Sequence, residues 1–442
     1  MRILILGAGG VGSAAVAIAA RRDFFEACVV ADHDPARAAR AVAAANAGRP
    51  AGTADAGRPA GDAGRSAGDA GRSAGTADAG RPAGPTDAGR FIAATVDASS
   101  ARAVTELCRA HRISHVLNAV DPRFVMPIFD GAFAAGADYL DMAMSLSRPH
   151  PERPYTDCGV KLGDEQFAAA DAWSAAGRLA LVGMGVEPGL SDVFARYAAD
   201  ELFATIDEIG VRDGANLTVD GYDFAPSFSI WTTIEECLNP PVIWTAERGW
   251  HTTEPFAEPE VFDFPAGIGP VECVHVEHEE VLLIPRWVPA RRVSFKYGLG
   301  GEFIEVLRTL HKLGLDRTEP VRVGAVAVSP RDVVAACLPD PATLGERMRG
   351  KTCAGTWVTG TGMDGRPRSV YLYHVVDNEW SMTEYGHQAV VWQTAVNPVV
   401  ALELLATGAW SGAGVLGPEA FPPRPFLDLL TAYGTPWHIQ ER

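Results

Sequence analysis

No two cysteines in the 442-residue chain stand close together. Cys28, Cys108, Cys158, Cys237, Cys273, Cys337 and Cys353 are scattered, odd in number and without a CxxC pair. That argues against a disulfide framework and a zinc knuckle, and it suits a reducing cytoplasm. Positive charge is in deficit: 38 lysines and arginines face 55 aspartates and glutamates, for a net charge of −17 and a pI near 5.1. Nucleic acid and anionic membrane are therefore not expected partners. No apolar run approaching the roughly 18 to 20 residues of a membrane span is read in the chain, and with a strand at its very start no signal peptide is expected. From Ala47 to Arg90 large apolar residues are missing altogether, and repeats such as Asp62-Ala-Gly-Arg-Ser-Ala-Gly68 take their place. A segment of that kind cannot bury enough surface to offset its ordering entropy, so a disordered low-complexity insertion over 47–90 is expected.

What is present is a core of ordinary size, with 47% hydrophobic and 21% charged residues, long enough for two or three domains. The apolar run Ile3–Leu6 breaks into Gly7-Ala-Gly9-Gly10-Val11-Gly12, and an alanine-rich stretch without breakers follows. Strand, glycine turn and helix in this order form the dinucleotide fingerprint. Gly7 is expected to make the turn, Gly9 to admit the pyrophosphate and Gly12 to let helix and strand approach, with Gly10 and Val11 opening the helix N-terminus. The next apolar run ends at Asp32, about 20 to 25 residues beyond the first glycine, where a carboxylate accepts hydrogen bonds from the adenosine ribose. It would also repel a 2′-phosphate, so NAD is favoured over NADP; Asp34 adds to that bias and Arg37 moderates it.

Strands and helices then alternate up to Asp141, which predicts a doubly wound parallel sheet of the Rossmann type. Ligands in such sheets lie beyond the C-terminal strand ends. This places Asp97, Asn118, Ala119, Asp121 and Asp141 near the cofactor, with Asn118 on the nicotinamide-side ribose or, equally, capping its own strand in an Asx turn. A second glycine-rich turn, Gly185-Val-Glu187-Pro-Gly189, is expected where two domains meet. Beyond it, from Ile206 to about Tyr297, alternating apolar residues predict a mainly antiparallel sheet, with Val274–Val276, Val281–Ile284 and Arg292–Lys296 among its strands. Helices are expected at Phe303–Leu313, Arg331–Leu338, Gln388–Ala406 and Pro425–Tyr433. Strands at Cys353–Thr359 and Val370–Val376 are joined by a turn at Asp364-Gly365. Together these give an α/β fold: residues 1–145 as the dinucleotide domain, 146–387 as an α+β substrate and dimerisation domain, and C-terminal helices over 388–442 returning to the first domain.

Several separated stretches resemble the saccharopine dehydrogenase family, in particular its carboxynorspermidine dehydrogenase branch. They are Gly7–Gly12, Gly136-Ala-Asp-Tyr-Leu-Asp141, Gly185-Val-Glu-Pro-Gly189, Asp263-Phe-Pro with Ile268-Gly-Pro270, and His278-Glu-Glu280. Leu338–Gly345, Gly350-Lys-Thr-Cys353 and the tail Pro425–Leu430 with Pro436-Trp437 complete the set. The resemblance implies a homodimer and hydride exchange between nicotinamide and the C–N bond of a secondary amine. Asp32 and Asp34 depart from the serine or arginine that this branch carries after its second strand. NADP therefore stays open beside NAD.

An amine must lose its proton as hydride leaves, so a base or carboxylate is useful; substrate carboxylates call for Arg or Lys, and ammonium groups for carboxylates. The expected catalytic groups are Asp121 and Glu187, on turns beside the cofactor end. The expected substrate-binding groups are Asp141, Arg212, Asp213 and Lys296; Gly185 is expected at the cofactor. A metal is not expected, because His275 and His278, at i and i+3 on a strand, point to opposite faces. Ser191 lacks a GxSxG elbow, which leaves a hydrolase without support. Two rivals stand beside reductive condensation: a lysine 6-dehydrogenase-type deamination, and an NAD-binding sensor whose pocket would be filled by apolar side chains.

Overall fold

The computed structural model describes residues 1–47 and 89–442, and the insertion expected over 47–90 lies, apart from its ends, outside them. Two large sheets organise the described residues. The first has seven parallel strands in the order Gly414–Leu416, Leu179–Leu181, Asp138–Asp141, His115–Asn118, Arg2–Leu6, Ala27–Asp32 and Phe91–Thr95. The order reverses between Arg2–Leu6 and His115–Asn118, and the crevice at such a switch point is where this architecture takes its ligands. The central strands are buried on both faces and read as apolar runs for that reason.

The sheet recruits Leu179–Leu181 and Gly414–Leu416, both outside the expected 1–145 boundary, so the dinucleotide domain is assembled from three separate parts of the chain. Helix Ala389–Thr407 packs on the glycine-turn helix Gly10–Ala19. By length and composition it could cross a membrane, contrary to the expectation that no such run exists. It is largely buried against protein, as a core helix is.

The second sheet runs Gly249–Thr252, Val242–Thr245, Arg292–Gly298, Phe203–Ala215, Lys351–Gly362, Pro367–Asp377 and Trp437–Glu441, with Gly269–His275 and Glu260–Phe264 attached beside Arg292–Gly298. It is mainly antiparallel, but its centre is a parallel pair, Arg292–Gly298 on Phe203–Ala215, in the register Lys296↔Arg212 and Tyr297↔Asp213. Two local expectations fail. Val281–Ile284 belongs to helix Glu280–Trp287, because a short apolar run buried all round reads alike as strand or helix. The chain end is a strand of the second sheet, Trp437–Glu441, where only helices were expected.

Candidate active site

Gly7 has φ +95°, and a Cβ there would lie 2.5 Å from the Ala119 carbonyl oxygen. A Cβ on Gly12 would come within 1.8 Å of the Gly7 oxygen, whereas nothing lies within 4 Å of the Cβ position of Gly9. Glycine at 7 and 12 thus draws strand and helix together, and at 9 it leaves open space before the first helical amides, the shape a pyrophosphate needs. Asp32 is buried at its strand end and accepts from the amides of Ala8 (2.7 Å) and Asp34 (2.9 Å). On these observations the residues present fit a dinucleotide.

A cavity of about 580 Å3 runs from Gly10 and Val11 past Asn118, Ala119 and Asp121 to the base of the second sheet. Its far end is lined by Glu187, Asp213, Glu236, His278, Glu279 and Tyr297, and no lysine or arginine is among its described lining residues. Glu187 and Asp213 are near enough for one to hydrogen-bond the other when either carries a proton. Burial and the neighbouring acids hold Glu187 well above the usual carboxylate range, and burial pushes Asp213 up to about 7. Glu236, on helix Ile230–Leu238, is raised to about 8 by burial. Burial alone would lower His278, but the carboxylates of Glu280, Glu279 and Glu236 outweigh it and lift the imidazole to about 10. Carboxyl groups buried together in this way favour their protonated forms.

Chain alternation decides which expected residues reach this cavity. Asp213 and Tyr297 face it, whereas their neighbours Arg212 and Lys296 face away, since successive side chains on a strand point to opposite sides. Arg212 Nε lies 2.5 Å from Glu260 Oε1 and Lys296 Nζ 2.7 Å from Glu260 Oε2, a closed ion-pair triad behind the sheet. Both were expected to bind substrate, and the structure keeps them out of the cavity. Asp141 is likewise withdrawn: it is buried and accepts from Gly183 N and Gln166 Nε2, both at 2.7 Å. Its chain neighbours Met142 and Ala143 line the cavity in its place.

Asp121 lines the mouth, paired with Arg123 at 2.8 Å, and that guanidinium lies over Trp231 at 4.5 Å. Asn118 lines the cavity and also makes the Asx turn, accepting from Val120 N at 3.0 Å while donating to Tyr139 Oη at 3.0 Å. Asp97 is exposed and bonded to Ser99, away from the cavity. Gly185 shapes the turn from behind, donating to Pro188 O at 2.6 Å, and its neighbours Val186 and Glu187 supply the lining. The alternation argument against a shared metal does not apply to His278, because its strand ends at His275. Among the described residues, His278, Glu279 and Glu280 have ligand-type atoms within 4.8 Å of one another. His278 Nδ1 is engaged there with Glu280 Oε2 at 2.5 Å.

Family models for the saccharopine dehydrogenase NADP binding domain and C-terminal domain match residues 3–181 and 185–435. The chain belongs to the saccharopine dehydrogenase family. It is 31% identical to the carboxynorspermidine synthase of Vibrio cholerae over 78% of this chain and 82% of that protein. It is 28% identical to the carboxyaminopropylagmatine dehydrogenase of Synechocystis over 78% and 84%. The apo saccharopine dehydrogenase (L-Glu forming) of Saccharomyces cerevisiae shares the fold, with a TM-score of 0.64 at 12% identity, covering 100% of this chain and 99% of that one. Family, glycine cradle and cavity together make the chain an NAD(P)-dependent oxidoreductase. Of the groups around its acidic end, Glu236 and Tyr297 escape sequence reasoning, and His278 enters it as a metal-ligand candidate and within the family-like stretch His278-Glu-Glu280, without a catalytic role. The signal for Tyr297 was one residue away, at Lys296.

Proposed function

We propose that the protein reduces the imine formed between a semialdehyde and a cationic amine of the polyamine type, or runs the reverse oxidation. The carrying observation is the cavity's charge: it presents Glu187, Asp213, Glu236 and Glu279 and lacks any lysine or arginine among its described lining. Such a wall suits ammonium or guanidinium groups and repels an amino acid bearing several carboxylates. Bound NAD(P)H supplies the hydride. Glu187 and Asp213 take the cation in exchange for their shared proton, and Asp121 and Trp231 border the mouth. The names of the two curated relatives agree with an amine of this class. Asp32, with no basic side chain among the described residues bonded to it apart from the contact of His33, supports NAD over NADP.

A sensor pocket filled by apolar side chains is not what lies here, and lysine 6-dehydrogenase-type deamination is less well served, since lysine brings one net positive charge to the acidic wall where a diamine brings two. The homodimer belongs to this proposal: hairpin Val321–Val323 and Val326–Val328 shows four valines on one face, three of them exposed, which a second copy would cover. So does a cytoplasmic setting, in keeping with seven free cysteines.

The test follows nicotinamide absorbance in both directions. One arm offers NADH or NADPH with an amino-acid semialdehyde plus a diamine or glutamate. The other offers NAD or NADP with saccharopine, lysine or a carboxyspermidine-type amine. Turnover with the diamine or carboxyspermidine pair is expected, and turnover confined to saccharopine or lysine would overturn the reading.

A further inference from the structure

Among the described lining residues, His278 is the one basic side chain, and its environment is built around the ring. Its imidazole stacks on Phe295 with centroids 3.9 Å apart and planes 8° from parallel. Nδ1 is taken by Glu280 Oε2 at 2.5 Å, and the other oxygen of Glu280 accepts from Ser191 Oγ at 2.9 Å. Glu280 and Ser191 are fully buried. The carboxylate is therefore fixed from both sides and fixes the ring in turn. Nε2 has no hydrogen-bond partner among the described residues, and His278 lines the cavity, which leaves Nε2 as the nitrogen available to it. A ring held through one nitrogen by a carboxylate, with the other nitrogen turned to the reaction space, is the arrangement that acid–base catalysis uses.

Resting on the proposed reaction, we propose that His278 is the catalytic acid of imine formation, giving its Nε2 proton to the hydroxyl of the carbinolamine, with Glu280 and Ser191 as positioning residues. The amine nitrogen adds to the aldehyde carbon. The carbinolamine C–O bond then breaks as the His278 proton reaches oxygen, water leaves, and the nitrogen lone pair forms the C=N bond. Hydride, with its electron pair, reaches that carbon from the reduced nicotinamide, which is oxidised as the C–H bond forms. Aldehyde, neutral amine group, one proton and one hydride give the secondary amine and water, and His278 recovers its proton through the cavity mouth. In reverse the ring accepts the proton.

The groups facing His278 are Glu279 and Glu280 from its own turn, Glu236 from helix Ile230–Leu238, Asp213 and Tyr297 from the paired strands, and Glu187 beyond Asp213. Asp192 and Glu419 stand behind Glu280. These acids keep the ring charged when the cavity is empty. A substrate ammonium entering among them offsets their field and brings the ring's acidity nearer to that needed for transfer.

The test uses the full-length protein with its cofactor, a diamine and a semialdehyde. His278→Gln is expected to lower kcat by about 10²–10⁴-fold. The kinetic isotope effect from cofactor deuterated at the transferred position should fall toward one, as dehydration becomes limiting, while cofactor binding by fluorescence titration stays unchanged. His278→Ala should regain turnover with added imidazole. Glu280→Gln, the milder change, should shift the alkaline limb of the kcat profile to lower pH, and Ser191→Ala should do so less. A His278→Gln variant within two-fold of the wild-type kcat, or a loss with an undiminished isotope effect and no imidazole rescue, would overturn the proposal. Should His278→Gln fail to fold, an alkaline limb unmoved in Glu280→Gln would overturn it as well. Absence of turnover in the wild type with every amine–aldehyde pair is a different result, and it removes the reaction itself.

Discussion

Arg212 and Asp213 are chain neighbours on one strand, and Lys296 and Tyr297 are their partners on the next. Behind the sheet, Arg212 and Lys296 close on Glu260 and neutralise it. In front, Asp213 joins Glu187, Glu236 and Glu279 with no lysine or arginine among the described lining residues to answer them. The rear face has the composition of a structural ion cluster, in which each charge already has its partner. The front face keeps unpaired buried oxygens on Glu187 and Asp213, an arrangement that costs stability and gains from an incoming cation. In the proposed function, two faces of one strand pair separate holding the fold from receiving the substrate.

The sharpest break of this contrast removes the front charges. Glu187→Gln combined with Asp213→Asn should cut kcat/KM for a diamine by about 100-fold, roughly 3 kcal/mol, mostly through KM. Thermal stability should hold or rise, because like charges are lost. If steady-state kinetics show an unchanged KM, the front face is not the cation site. On the rear face the outcome should invert. Arg212→Ala should cost about 2 kcal/mol in denaturant unfolding, less than a fully buried broken pair, since Glu260 is a third exposed and keeps Lys296. The KM of the folded fraction should stay unchanged. An Arg212 variant that is as stable as wild type but has lost diamine affinity would reverse the assignment of faces.

Protons make the same comparison without mutation. Carboxyl groups raised in the folded state, Asp213 to about 7 and Glu236 to about 8, bind protons more tightly folded than unfolded. They therefore stabilise fully below the unfolded value near 4 and lose that contribution as pH rises through 7 to 8. His278, raised to about 10, acts in the same sense over a higher window, from about 6.5 upward. The substrate-free protein should lose a few degrees of Tm between about pH 6 and 8 by scanning calorimetry. A diamine should restore more at pH 8 than at pH 6, and the double front-face variant should flatten the slope. The smallest effect lies at the other end of the cavity, where Asp32→Ser should shift the NADH over NADPH preference by about 10-fold toward NADPH, about 1.4 kcal/mol. An unchanged preference in paired cofactor titrations would remove Asp32 from the selection.

Local features were legible in the chain; those set by pairing were not. Gly7 to Gly12 could be read because turn, phosphate cradle and helix start are decided within six residues, and Glu187 because a proline–glycine turn fixes where it stands. Arg212 and Asp213 could not be told apart, since which face meets the cavity depends on a register formed with a strand some 80 residues away. Glu236 was hidden because its helix, Ile230–Leu238, lies within a stretch whose alternation reads as sheet. His278 was assigned to a strand that stops at His275, so an argument about opposite faces was applied to a residue already in a turn. The full extent of the parallel sheet was hidden because two short strands at one side of it, Leu179–Leu181 and Gly414–Leu416, come from distant parts of the chain.

Selection of cations by the front face can be read from a pair of amines. The kcat/KM of the wild-type protein is compared for a short α,ω-diamine and for the monoamine of equal length lacking the second ammonium, at fixed semialdehyde and NADH. The account predicts a preference for the diamine of at least about 10-fold, the value of one charge-assisted contact, and its loss in the Glu187→Gln, Asp213→Asn variant. Equal efficiencies for the two amines in the wild type would contradict it.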